Sequence, residues 1–154
     1  MKSLLIIFGL LLLQLPVHAQ DEIAVAKVIS SLFEGMKAKD PTLLEKAFHP
    51  EATMQTVIAG ESGARLGSNS VQDFINRIAT TPTTTILDER ILEYKINIDG
   101  DMAAAWTPYE FYVNDGFSHC GVNSFQLIKT PEGWKITYII DTRRKTGCKQ
   151  GEGE

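Results

Sequence analysis

The chain has 154 residues, 15 basic and 19 acidic, with a net charge of −4 and a pI near 5.4. No run gathers Lys and Arg beyond Arg143-Arg144-Lys145, which argues against nucleic acid as a partner. Two Cys with no CxxC, and no His-x-His spacing, leave a dithiol redox motif and a zinc site without support.

The N-terminus reads as a targeting segment. Lys2 gives a positive start, residues 4–15 are apolar apart from Gly9 and Gln14, and Pro16-Val17-His18-Ala19 ends on the small residue a signal peptidase reads. The run is short for a membrane span and polar Gln20-Asp21-Glu22 follows it. Residues 1–19 are therefore expected to be a signal peptide, with an uncleaved anchor as the alternative, and residues 20–154 a single domain. Losing Lys2 would leave a net charge of −5. The expected location is periplasmic or secreted, with no membrane contact after cleavage. Cys120 and Cys148 would both survive cleavage, and an oxidising compartment favours a disulfide between them over two free thiols.

A first helix is predicted over residues 21–37, where Val25, Val28, Ile29, Leu32, Phe33 and Met36 make one apolar stripe. Asp40 caps a second helix with Pro41 at its first position, burying Leu43, Leu44, Ala47 and Phe48 and ending at His49-Pro50. Residues 52–59 and 64–66 read as a short hairpin around Gly60-Glu61-Ser62-Gly63. That loop misses a nucleophile elbow, because Ala64 stands where the last Gly is needed. Ser70-x-x-Asp73 opens a third helix.

Residues 86–144 read as four strands separated by Asp99-Gly100-Asp101, Asn114-Asp115-Gly116 and Thr130-Pro131-Glu132-Gly133. Loops of three, two and four residues would set Ile96 opposite Ala104, Arg90 opposite Glu110, Tyr112 opposite His119 and Asn123 opposite Tyr138. The shared inner face would then be apolar at one end and polar at the other. The polar end would collect Arg90, Glu110, Tyr112, His119, Asn123, Tyr138 and Thr142, with Trp106 nearby and Gly121 leaving room for a ligand. A bulge at Pro108 would turn Tyr109 and Phe111 inward instead. On this register Ala103, Ala105, Thr107, Tyr109, Phe111 and Val113 face outward and pack on another subunit.

His119 is the chemical candidate, a general base oriented by Glu110 or else a buried structural histidine bonded to Tyr112 or Thr142. Glu110 with Arg90 reads either as an acid held by a base or as a cross-strand ion pair. Asn123 and Tyr138 could bond a ligand or each other.

Ala47-Phe48-His49-Pro50-Glu51-Ala52, Gly100-Asp101-Met102-Ala103 and Gly133-Trp134-Lys135-Ile136, in that order and spacing, resemble the nuclear transport factor 2-like superfamily. The chain looks most like its small exported bacterial members, labelled SnoaL-like or lumazine-binding. The resemblance implies an α+β cone-shaped barrel, helices packed on a strongly bent antiparallel sheet, a pocket between them, and a homodimer through the sheet. It carries over no catalytic set, and no cofactor or metal is expected. The expected function is binding of a small hydrophobic or aromatic ligand, with a metal-free isomerase, dehydratase or cyclase using His119 as the alternative.

Overall fold

The computed structural model describes residues 17–149, so the apolar run at residues 1–16, where most of the expected signal peptide falls, lies outside the described residues. Helix α1 spans Val17–Ala38 and buries Val25, Ile29, Leu32 and Met36. Its N-terminal end is pinned to the sheet through Asp21, which accepts from Trp134 Nε1 at 3.1 Å and pairs with Lys129 at 2.7 Å. Helix α2 (Pro41–Ala47) starts as its sequence requires. Asp40 Oδ1 accepts from the Thr42 and Leu43 amides at 2.9 and 3.1 Å. Strand β1 (Phe48–Ile58) follows at once, and β2 (Arg65–Ser70) pairs back on it, running further than the short hairpin expected. Ser70 Oγ then caps α3 (Val71–Ala79) through the Asp73 amide at 3.0 Å.

The remaining chain makes five strands, not four. They are β3 (Leu87–Ile91), β4 (Lys95–Asp99), β5 (Met102–Val113), β6 (Gly116–Thr130) and β7 (Gly133–Thr142). All seven strands form one curved, unclosed sheet in the order β2-β1-β7-β6-β5-β3, with β4 also pairing β5. The three helices cover its concave face. Phe33 meets Phe125 and Phe48 meets Phe74, each edge to face with centroids about 6.3–6.4 Å apart.

The register differs from expectation at every turn, for local reasons. Gly100-Asp101 is a two-residue turn with Gly100 at φ +57°, so Ile96 lies opposite Ala105 rather than Ala104. The break between β3 and β4 absorbs that shift, so Arg90 does lie opposite Glu110. The second turn is Asn114-Asp115, both residues left-handed at φ +51° and +63°, and not Asp115-Gly116. After a shift between Phe111 and Tyr112, Phe111 lies opposite His119 and Tyr109 opposite Gly121. The third turn is Pro131-Glu132, with Leu127 opposite Ile136. A shift beyond Leu127 then sets Asn123 opposite Asp141, where Tyr138 was expected.

A one-residue change exchanges the faces of a strand. Ala103, Ala105, Thr107, Tyr109 and Phe111 therefore point inward under the helices, and the expectation that they pack on another subunit is overturned. The outer face of β5 carries Met102 and Trp106, each about half exposed.

Candidate functional site

A cavity of about 530 Å³ lies between the helices and the concave sheet. Phe33 and Met36 of α1, Phe74 and Ile78 of α3, Phe111 of β5 and Phe125 of β6 give it an apolar wall. Its other end is polar, and the sheet pairing explains why. Thr107, Asn123, Asp141 and Thr56 are direct cross-strand neighbours on β5, β6, β7 and β1, so they form one row across the concave face. Thr107 is fully buried at one end of the row, and the other three line the cavity.

Glu89 reaches this row from edge strand β3. Its Oε1 accepts from Asn123 Nδ2 at 2.7 Å, and no cation among the described residues pairs with it. Burial, reinforced by the Asp141 charge, outweighs the Asn123 bond and pushes the Glu89 carboxyl up to about 8. At neutral pH it is therefore mostly a neutral acid, able to donate a hydrogen bond. Asp141 is placed differently: Arg143 Nε donates to its Oδ2 at 2.7 Å. The Tyr109 hydroxyl donates to the Thr142 carbonyl at 3.0 Å and lies 3.5 Å from Asp141 Oδ2. Burial holds that phenol well above its usual range, so it stays protonated.

His119 lines the same end. Its ring packs against Phe111 at 5.0 Å and edge-on to Tyr109 at 5.8 Å, and Ser118 Oγ lies 3.1 Å from Nδ1. Burial and then the Arg143 charge lower its pKa, favouring neutral imidazole. Thr56 Oγ1 is, among the described residues, the buried side-chain polar atom left without a hydrogen-bond partner. No group of three His, Cys, Asp or Glu side chains suited to a metal ion occurs among the described residues.

Of the residues expected at the site, His119 and Asn123 line the cavity and the others do not. Glu110 belongs to the outer face, where it accepts from the Tyr112 hydroxyl at 2.9 Å. It therefore cannot orient His119, and Ser118 is the neighbour of the imidazole instead. Arg90 lies 3.9 Å over the Tyr112 ring and pairs with Asp88 at 2.8 Å. Trp106 points to the outside, Tyr138 donates to Gln55 Oε1 at 2.5 Å, and the Thr142 hydroxyl accepts from the Val122 amide. Gly121 gives its space to Tyr109 and to the Thr142 carbonyl rather than to a ligand. The residues missed were Thr56, Glu89, Tyr109, Asp141 and Arg143. Tyr109 was the inward alternative at Pro108, and an Asp-x-Arg step closing an apolar strand is the signal that marks Asp141 and Arg143.

The expected disulfide between Cys120 and Cys148 is present. It ties the segment after β7 to β6, where Cys120 and Arg144 also exchange both backbone hydrogen bonds at 2.9 Å. Arg143 is thereby held beside the polar end. No helix among the described residues is long and apolar enough to cross a membrane.

A family profile described as "Putative lumazine-binding" matches residues 20–138, and the chain belongs to that family. Many solved structures share its fold. A nuclear transport factor 2-like protein of unknown function from Shewanella baltica is 22% identical over 86% of this chain and all of its own, with a TM-score of 0.62. A superfamily member from Salmonella enterica is also 22% identical, over 90% of this chain and all of its own, with a TM-score of 0.64. A protein described as a putative dehydratase, from Streptomyces avermitilis, is 16% identical over 83% of this chain and 99% of its own, with a TM-score of 0.65. These likenesses define a nuclear transport factor 2-like α+β fold. No curated protein matches the sequence.

Proposed function

We propose that this protein binds a small, largely apolar or aromatic molecule in the cavity between helices and sheet. The observation that carries the reading is the cavity itself, about 530 Å³ with aromatic walls and polar groups gathered at one end. The family's description as lumazine-binding agrees with a small-molecule ligand. Asn123 and His119 are assigned to ligand contact, together with Glu89 and Asp141. The disulfide and the expected signal peptide support an exported protein. A homodimer through the sheet would use the outer face, where Trp106 and Met102 stand exposed.

Native mass spectrometry of the protein purified from its exporting host tests this reading. A discrete extra mass on each chain, displaced by a neutral apolar dye, is the expected result. A chain that carries nothing and excludes such a dye would overturn it.

One observation favours a second reading, an isomerase, dehydratase or cyclase. His119, with its lowered pKa, and Glu89, with its raised one, share one cavity and could exchange protons with a carbon acid near neutral pH. His119→Gln separates the two. A binder keeps most of its affinity, whereas an acid–base enzyme relying on His119 loses roughly 10²–10⁴ in turnover.

A further inference from the structure

The polar row is built for a particular ligand chemistry. Its one full ionic charge pair is internal, since Arg143 is bonded to Asp141. Glu89 has an amide partner and, among the described residues, no paired cation. Arg77, the remaining cation on the lining, stands exposed on α3 and not on the sheet. An anionic head group would therefore meet two carboxyl groups with no free cation on the row. A cationic one would find the Asp141 charge already matched by Arg143 and would have to ionise Glu89, which burial opposes. What the row offers freely is hydrogen bonding of both senses. The Glu89 carboxyl and the unpartnered Thr56 hydroxyl can donate, and the Asp141 carboxylate can accept. A buried hydroxyl left without a partner has given up its water and gained nothing in return, so Thr56 favours a ligand that reaches it.

We propose that the row Thr56–Asp141–Asn123, with Glu89 joined to it, selects an uncharged ligand whose polar edge both donates and accepts, as a lactam or cyclic imide does, on an aromatic body. The N–H of that edge faces Asp141 and its carbonyl oxygens face Glu89 and Thr56, while the rings lie against Phe111 and Phe125. The proposal rests on the cavity reading above and adds charge selectivity to it.

Binding is also proton-linked. The charged and titratable groups around Glu89 are Asp141 and Arg143 at the end of β7, Tyr109 on β5, His119 on β6 and Tyr94 just after β3. Arg77 on α3 faces the same cavity, and Glu34 and Lys37 of α1 and Asp88 of its own strand line the groove on its other side. A carbonyl that accepts from protonated Glu89 loses this donor as the pH rises through about 8.

The test uses the disulfide-intact protein and displacement of the neutral dye N-phenyl-1-naphthylamine by four probes of similar size. These are naphthalene, quinolin-2-one as the neutral lactam, 2-naphthoate as the anion and 2-naphthylmethylamine as the cation. At neutral pH the lactam should bind at least about tenfold tighter than either charged probe, the difference of one or two buried hydrogen bonds. Its affinity should fall above pH 8, whereas that of naphthalene should not. Glu89→Gln cannot ionise, so it should abolish the pH dependence of lactam binding. Thr56→Val should weaken the lactam about two- to tenfold and leave naphthalene unchanged.

Tighter binding of the anion or the cation overturns the proposal. So does lactam affinity that is flat from about pH 6 to 9, or that Thr56→Val leaves unaltered. If the dye enters and the lactam has no advantage, only the selectivity fails and the cavity reading stands. If neither dye nor probe enters, both fall.

Discussion

The ring of Tyr109 occupies the space a side chain on Gly121 would need. A Cβ built on Gly121 would lie 2.8 Å from the Tyr109 hydroxyl and would run into the Thr142 carbonyl, which accepts from that hydroxyl. Gly121 is thus what allows the phenol to cross from β5 to the end of β7. One obstacle is backbone, which cannot swing aside as a flexible side chain can. Gly121→Ala is expected to cost about 2–4 kcal/mol in urea unfolding, within the range of overpacked interiors. Tyr109→Phe removes one hydrogen bond and should cost about 1 kcal/mol. Equal costs for the two would mean that the close packing at Gly121 carries no special weight.

Glu89 makes stability depend on pH in an unusual direction for a carboxylate. Its folded-state pKa, about 8, lies above the ordinary 4.5, so the folded protein holds this proton more tightly than the unfolded chain does. The contribution is fully present below 4.5, is lost as the pH rises, and levels off above about 8. Within that window the slope from this group approaches about 1.4 kcal/mol per pH unit. Glu89→Gln should remove the slope and leave the protein relatively more stable at alkaline pH. Parallel stability curves for wild type and variant between about pH 5 and 8 would refute this.

The Cys120–Cys148 bridge closes a loop with a sequence separation of 28, for which chain entropy gives a stabilisation of about 3.5 kcal/mol. Its loss should also loosen the segment next to Arg143. Cys148→Ser is expected to lower the urea midpoint and to weaken ligand binding even where the domain remains folded. Lost stability with unchanged affinity would show that the strand pairing of Cys120 with Arg144 suffices to hold Arg143.

Much of the architecture was legible in the sequence because its signals are local. Asp40-Pro41 and Ser70-x-x-Asp73 cap helices where they stand, and the two Cys form the expected bridge. The polar end was only partly legible, because membership of a face depends on the parity of each turn. Glycine draws the eye to Asp115-Gly116, yet Asn114 and Asp115 tolerate the left-handed region and take the turn themselves. That step moves the pairing by two residues and keeps the faces; the first turn, two residues long rather than three, is what sends Glu110 and Tyr112 outward and brings Tyr109 and Phe111 in. His119 and Asn123 remained correctly inward because a compensating shift falls between Phe111 and Tyr112, on the turn side of the cavity. Asp141 replaced Tyr138 through the irregularity beyond Leu127, which no turn residue announces.

His119 gives the opposite pH signature to Glu89. Its folded-state pKa is lowered from 6.5, first by burial and then by the Arg143 charge, so the folded protein favours the neutral ring. Its contribution is present above the unfolded value and is lost as the pH falls below 6.5 toward the lower folded value. Acidification should therefore destabilise wild type more steeply than His119→Gln, which cannot take up a proton. The same titration should disturb the cavity, because a charged imidazole beside Phe111 and Tyr109 brings an unpaired cation to an aromatic wall. Measured at about pH 5 and 7, wild type should lose unfolding free energy relative to His119→Gln, a difference from which the Glu89 contribution cancels, and its dye binding should weaken where the variant's does not. If the variant shows the same acid loss, another group carries it.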